Sequence, residues 1–238
     1  MAELFVNQAK QYAETRPSYP QQLFQFIASK TPTRDLVWDM GTGSGQAARS
    51  LAGIYKRVTG TDKTLKQLEF APKLPNVSYH HTTPVMSRSE LEQTVSAQSS
   101  VDLVTIAQAM HWFDLHAFYQ QTQSSINFTP LILNPFGEQQ LKLIDDKYRS
   151  IDFPFDAVEG ADHTGPFKFV AEKLMDLDEY LAYLRSWSAY QTAKTKGVEL
   201  LRDDHRIESF KRAWNEDGHD QKAVKFPVYL RIGKVGNA

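Results

Sequence analysis

The eleven residues Leu36-Val37-Trp38-Asp39-Met40-Gly41-Thr42-Gly43-Ser44-Gly45-Gln46 constrain the fold more than any other stretch. Leu36 to Trp38 is an apolar run set off by Pro32 and Thr33, and it reads as a short strand buried on both faces, as in a parallel sheet. The glycines then let the chain turn sharply and, lacking Cβ, let a ligand lie against the backbone. From Gln46 to Ile54 the sequence reads as a helix with Ala47, Ala48, Leu51 and Ile54 on one face. Strand, glycine loop and helix make the first βα unit of a nucleotide-type site, where N–H groups at the helix start favour an anionic group.

The glycine spacing narrows the ligand. Gly41-x-Gly43-x-Gly45 is not the dinucleotide fingerprint G-x-G-x-x-G, because position 46 is Gln, and this disfavours a nicotinamide-dependent oxidoreductase. The Gly-Lys-Ser/Thr of a P-loop is absent as well. By itself such a loop also suits an ordinary tight turn. A second feature supports a binding site: Asp62 ends the run Tyr55 to Thr61, read as the second strand, seventeen residues after Gly45. An acid there accepts hydrogen bonds from ribose hydroxyls in doubly wound sheets. Asp62 also precedes the helical-looking Leu65 to Phe70 and suits a helix N-cap; both roles are compatible.

Composition excludes several classes. A chain of 238 residues, 41% hydrophobic and with a formal net charge of −1, suits one domain with a substantial core. Its basic and acidic residues are interspersed, so no nucleic-acid partner is expected. With no cysteine, disulfides, thiol catalysis and cysteine-ligated metals are excluded. Glu3, Asn7, Gln8 and Lys10 interrupt any signal-peptide core, and no stretch is apolar enough to span a bilayer, so a cytoplasmic location without membrane contact is expected.

Along the chain, Pro20 is placed to open a helix in which Leu23, Phe24 and Ile27 face the core. Before it, Tyr12 and Tyr19 read as packing residues, or else Ala13 to Pro17 forms a flap over the pocket that brings Arg16 near a ligand carboxylate. Val77 to His81 reads as a third strand. His80 and His81 are adjacent on it and point to opposite faces, so no metal site is expected. Ser87-x-x-Glu90 is a capping box for a helix with Leu91 and Val95 inward. Val101 to Ala107 is a fourth strand whose end delivers Gln108-Ala109-Met110-His111-Trp112-Phe113 to the ligand edge of the sheet, and Asp114 caps the helix that follows.

Asp39-x-Gly41-x-Gly43-x-Gly45, Asp62 and Val101-Asp102-Leu103-Val104 followed by His111-Trp112 resemble a class I S-adenosylmethionine-dependent methyltransferase. More narrowly, Tyr12, Arg16-Pro17-x-Tyr19-Pro20 and His111-Trp112-Phe113 are similar to the small-molecule branch, methyltransferase type 11, that includes trans-aconitate methyltransferases. The resemblance resumes at Asp146 to Val235, where Arg185-Ser186-Trp187-Ser188 and Phe226-Pro227-Val228-Tyr229-Leu230 look like that branch's cap helix and last strand. It implies an α/β, Rossmann-like, doubly wound and mostly parallel sheet with an antiparallel last strand and a small helical cap. A single domain over 1–238 is expected, with a cofactor-binding half at 5–120, a helical cap at 171–218 and a closing strand at 224–235.

The sequence departs from the family between Gln121 and Asp145. Pro130 and Pro135 leave Leu131 to Leu133 for the fifth strand, which is therefore expected to be short or missing. Further on, Ile151 to Phe155 and Phe167 to Val170 read as short extended runs. Asp176-x-x-Glu179 starts a helix carrying Leu177, Tyr180, Leu181, Leu184 and Trp187, with Gly197 as its terminator. Arg206 to Asn215 reads as another helix, grouping Ile207, Phe210 and Trp214 and stopping near Gly218.

The resemblance also implies roles. Gly41, Thr42, Gly43 and Gly45 form the loop that holds S-adenosylmethionine, and Asp39 accepts a hydrogen bond from its amino group or orders that loop. Asp62 holds the ribose hydroxyls, and Gln108 lines the methyl-bearing end. Tyr12, Arg16, Tyr19 and Trp187 are the candidate substrate residues. The acceptor is a small molecule, and a carboxylate acceptor would need no general base. A dry pocket of Trp112, Phe113 and Trp187 would favour that reaction. For a phenol or amine, His111 is the candidate base. The alternative is a relative that binds the cofactor but is catalytically impaired. A monomer or weak dimer is expected.

Overall fold

β1 (Leu36–Met40) is buried along its whole length, which explains its run of large apolar side chains without alternation. It lies inside a seven-stranded sheet in the computed structural model, which describes residues 17–97, 100–110, 113–114, 116–119, 130–134, 146–201, 204–216 and 218–235. With β2 (Arg57–Asp62), β3 (Val77–His81), β4 (Leu103–Ala107), β5 (Pro130–Asn134), β6 (Phe167–Met175) and β7 (Lys222–Ile232), the order is β3-β2-β1-β4-β5-β7-β6. β1 to β5 pair in parallel and β7 runs antiparallel to β5. This is the Rossmann-like arrangement expected, antiparallel last strand included.

The order fixes where a ligand can sit. From β1 the chain steps outward through β2 and β3, then returns to place β4 on β1's other side. The crevice beyond the C-terminal strand ends at such a reversal is the binding position of open α/β sheets. Asp102, part of the motif read at the fourth strand, serves the opposite end. Its carboxylate accepts the N–H groups of Asp35 (2.6 Å) and Leu36 (2.8 Å) and the Thr33 hydroxyl, pinning the start of β1.

The fifth strand is present. β5 has five residues, as many as β1 and β4, where three were expected between the prolines. Its register sets Pro130 against Val104 and Leu133 against Ala107. Pro130 is tolerated because it is the first residue of the strand, a position where a missing N–H leaves the rest of the ladder intact.

α1 (Gln21–Ser29), α2 (Gln46–Ala52), α3 (Leu65–Leu68) and α4 (Arg88–Thr94) belong to the same compact unit, Tyr19–Phe169 with the chain from Pro227 onward. α1 buries Leu23, Phe24, Ile27 and Ala28, with Pro20 at its N-cap, one position earlier than the first helical residue. α3 stops two residues short of Phe70. α4 carries the expected capping box: Ser87 Oγ accepts the Glu90 N–H, and Glu90 Oε2 accepts the Ser87 N–H at 2.7 Å. On the core side of the sheet, Trp38, Met40, Ile106, Met110 and Phe118 join Phe153 and Phe155 in one cluster. Arg231 of β7 binds this unit's later loops to the sheet, donating to the carbonyls of Tyr148 (2.8 Å) and Ile151 (3.3 Å) and to Thr164 Oγ1 (3.0 Å).

Val170–Phe226 falls in a second compact unit, and β6 and β7 run from one unit into the other. Within it lie α5 (Leu177–Arg185), α6 (Ser188–Thr195) and α7 (Asp204–Asn215). The capping box Asp176/Glu179 opens α5 as expected. The helix then ends before Trp187, correcting the reading of one continuous stripe from Leu177 to Trp187. Ser186 Oγ turns back onto the Tyr183 carbonyl (2.6 Å) and Trp187 is extended, so it caps α6 instead. Tyr183 meets Trp187 and Phe226 edge-on, at 5.7 and 5.1 Å between ring centres, and Tyr180 packs on Phe210 and Trp214. β6 extends to Met175, well past the Val170 expected.

Candidate active site

The loop that leaves β1 is tied to β2 by its own backbone. Thr42 N–H donates to the Thr61 carbonyl at 3.0 Å, and Gly45 N–H donates to the Thr42 carbonyl at 2.9 Å. Gly41, Gly43 and Gly45 all have positive φ, between +56° and +74°, a region that side chains enter only at a cost. Their surroundings differ. A Cβ on Gly41 would stand 2.6 Å from Ala109 Cβ, and one on Gly45 would stand 2.6 Å from Tyr79 Oη and 2.8 Å from Pro72 Cδ. Over Gly43 the near atom is Gln67 Oε1, the movable end of a flexible side chain, at 2.7 Å. Gly41 and Gly45 therefore allow the protein to pack on itself. Gly43 is the glycine whose backbone a ligand can approach.

Two acids hold this loop from different sides. Asp39 is fully buried; its Oδ2 accepts from Thr42 Oγ1 (2.6 Å) and its Oδ1 from Thr105 Oγ1 (2.5 Å). Burial pushes its pKa up from 3.8 to about 6; the two threonine hydroxyls oppose the rise and the nearby Asp62 charge adds to it. Of the two roles considered for Asp39, ordering the loop is the one these contacts describe. At the end of β2, Asp62 Oδ2 accepts the Gly43 N–H at 2.9 Å and Oδ1 accepts the Thr64 N–H at 2.8 Å. Thr64, not Asp62, is the N-cap of α3. Each carboxylate oxygen has two lone pairs, so a hydroxyl can still be accepted beside each backbone N–H.

Beyond β4, Gln108 takes φ +58°, and its Nε2 donates to Tyr19 Oη at 2.9 Å. A candidate cofactor residue and a candidate substrate residue are thus brought together. Phe113 packs on Phe118, and its ring edge lies 3.4 Å from where a Cβ on Gly41 would be. Tyr12, Arg16, His111 and Trp112 lie outside the described residues. Trp187 is in the second unit, at the start of α6.

Sequence reasoning missed Tyr79. Its ring lies over Gly60 of β2, where a Cβ would come within 2.8 Å of Cδ1, and its hydroxyl reaches Gly45. That hydroxyl is buried without a hydrogen-bond partner, and burial pushes its pKa up to about 12 with the Asp39 charge contributing. A glycine inside a strand marks a close approach of this kind, so Gly60 was the available signal. Ser44 Oγ, in the glycine loop itself, is also buried and unpartnered.

A doubly wound sheet whose β7 runs against β5, with a glycine loop at the order reversal, has the architecture of a class I methyltransferase. Residues 38–123 match the family model of a methyltransferase domain. A candidate methyltransferase of Dictyostelium discoideum is 29% identical over 95% of this chain and 92% of its own length. A candidate S-adenosylmethionine-dependent methyltransferase of Saccharomyces cerevisiae is 23% identical over 75% of this chain and 78% of its own. Among solved structures, a candidate type II methyltransferase from Anaeromyxobacter dehalogenans superposes with a TM-score of 0.69 at 26% identity, covering 92% of this chain and 98% of that one. Together these likenesses support an S-adenosylmethionine-dependent methyltransferase.

The loop fits that cofactor on its own terms: an approachable backbone at Gly43, a carboxylate with spare acceptor capacity at Asp62, and an unsatisfied hydroxyl at Ser44. Among the described residues no group of three or more His, Asp or Glu could hold a metal ion, and no helix is long and apolar enough to cross a membrane.

Proposed function

We propose that the protein moves the methyl group of S-adenosylmethionine to a small-molecule acceptor, and that the acceptor is a carboxylate. The observation that carries this reading is the 2.9 Å bond from Gln108 to Tyr19. It sets Tyr19, part of the Arg16-Pro17-x-Tyr19-Pro20 motif that resembles the small-molecule branch, beside the residue that follows β4.

When bound, the cofactor supplies a methyl group on a sulfonium that is its own leaving group. The chain's task is placement, from which much of the acceleration arises. In this reading Gly43 offers its backbone to the cofactor and Asp62 accepts hydrogen bonds from the ribose hydroxyls. Asp39 keeps Thr42, and so the loop, in place through a bond that water does not reach. A carboxylate acceptor presents its lone pair without losing a proton, so no side chain has to act as base. Phe113, whose ring edge lies beside Gly41, contributes apolar surface next to the loop, which favours a reaction that neutralises opposite charges. For a phenol or amine acceptor, His111 is the proposed base. The same reading places the protein in the cytoplasm as a monomer or weak dimer, with no nucleic-acid or membrane partner.

The test is incubation with methyl-labelled S-adenosylmethionine and a panel of carboxylic, phenolic and amine acceptors. Label is expected in esters of a carboxylic acid, released again by mild base. Label in phenols or amines alone would refute the carboxylate reading, and cofactor binding without any transfer would point to an impaired enzyme.

A further inference from the structure

We infer that Gln108 is a positioning residue, held by Tyr19 in a left-handed turn that seats the end of β4 on the glycine loop. The inference rests on the reading of that loop as the cofactor cradle. Three observations converge on it. Gln108 is one of three non-glycine residues with positive φ among the described residues, and it immediately follows β4 at the order reversal. Its turn lays Ala109 against Gly41 so closely that any Cβ at position 41 would stand 2.6 Å from Ala109 Cβ. Its side chain is bonded to Tyr19 Oη at 2.9 Å, and Tyr19 is fixed in turn by Phe24 of α1, edge-on at 6.0 Å between ring centres.

These contacts form a chain of cause. A left-handed turn at a residue with a side chain is unfavourable, and such conformations persist where the surroundings over-determine them. Here the surroundings include the bond to Tyr19 on one side and the contact of Ala109 with Gly41 on the other. Loss of the Tyr19 hydroxyl would let Gln108 relax toward negative φ. Ala109 would then leave Gly41, and the loop from Gly41 to Gly43 would lose the wall that sets its shape. Tyr19 therefore acts on the cofactor site through the backbone at 108, over and above any contact of its own with an acceptor.

A glycine at 108 separates this account from simple packing, because glycine enters the left-handed region about as readily as the right-handed one and needs no tether. The probe is S-adenosylhomocysteine, with affinity measured by calorimetry and folding checked by thermal melting of each full-length variant. Tyr19→Phe is expected to weaken binding about five- to tenfold, the scale of one lost hydrogen bond. The same Tyr19→Phe change made in a Gln108→Gly background should alter affinity by less than about twofold, the non-additivity of a shared mechanism. Gln108→Ala, which has neither tether nor glycine's freedom, should bind about tenfold more weakly than Gln108→Gly. Equal effects of Tyr19→Phe in both backgrounds, or none in either, would overturn the inference. Failure of the unaltered protein to bind S-adenosylhomocysteine would instead overturn the cofactor reading beneath it.

Discussion

Gly45→Ala should destabilise the protein by about 2–5 kcal/mol in urea denaturation, the left-handed backbone and an overpacked contact each contributing. At φ +74° any side chain is strained, and this Cβ would also meet Tyr79 Oη at 2.6 Å, Pro72 Cδ at 2.8 Å and Ala71 Cβ at 3.2 Å. Pro72 is a rigid ring and cannot yield as a long side chain would. Tyr79 can be relieved by mutation. Its hydroxyl has no hydrogen-bond partner, so Tyr79→Phe forfeits no bond and should be neutral or stabilising by up to about 1 kcal/mol. In the Gly45→Ala background the same change removes the nearest obstruction and should restore about 1 kcal/mol or more. A Gly45→Ala protein as stable as the parent would show that the loop does not pack on β3 as described.

Asp39→Asn should change the pH dependence of stability. The carboxyl of Asp39 titrates near 6 in the folded chain instead of near 3.8, chiefly because it is buried, so folding favours its protonated form. Its contribution is therefore fully present below pH 3.8 and is lost as pH rises through about 6. The difference between 3.8 and about 6 corresponds to about 3 kcal/mol at 1.36 kcal/mol for each pH unit. An asparagine has the same shape and does not titrate. The stability of Asp39→Asn relative to the parent should thus rise by about 2.5 kcal/mol between pH 4 and pH 7.5, the rest of the loss falling below pH 4. Urea denaturation of both proteins at the two pH values measures it, and a difference that stays constant would mean that Asp39 is not a buried, reluctant anion. The variant should nonetheless bind cofactor less well, because its amide nitrogen needs an acceptor where Thr42 and Thr105 both donate to the carboxylate.

What was legible in the sequence was local. The strand, glycine loop and helix from Leu36 to Ala52 are specified by neighbouring residues, as are the capping boxes at Ser87 and Asp176. Asp62 could be read because it lies at a fixed distance from the glycines along one βα unit. The division of labour among the glycines could not, since Ala109 and Tyr79, which pack on Gly41 and Gly45, come from the turn after β4 and from β3. The break before Trp187 turned on one serine hydroxyl competing for a carbonyl, which periodicity does not register. The fifth strand was underestimated because two prolines were weighed as breakers, whereas Pro130 occupies the one strand position that does not need its N–H.

Calorimetric titration of S-adenosylmethionine into the protein and into Asp62→Ala tests the central claim. Asp62 joins the approachable Gly43 to the end of β2 and offers acceptors for two sugar hydroxyls, so its removal should weaken one-to-one binding by about a hundredfold, as expected for losing hydrogen bonds to a charged group. Equal affinity in the two proteins, or no binding by the parent, would contradict the account.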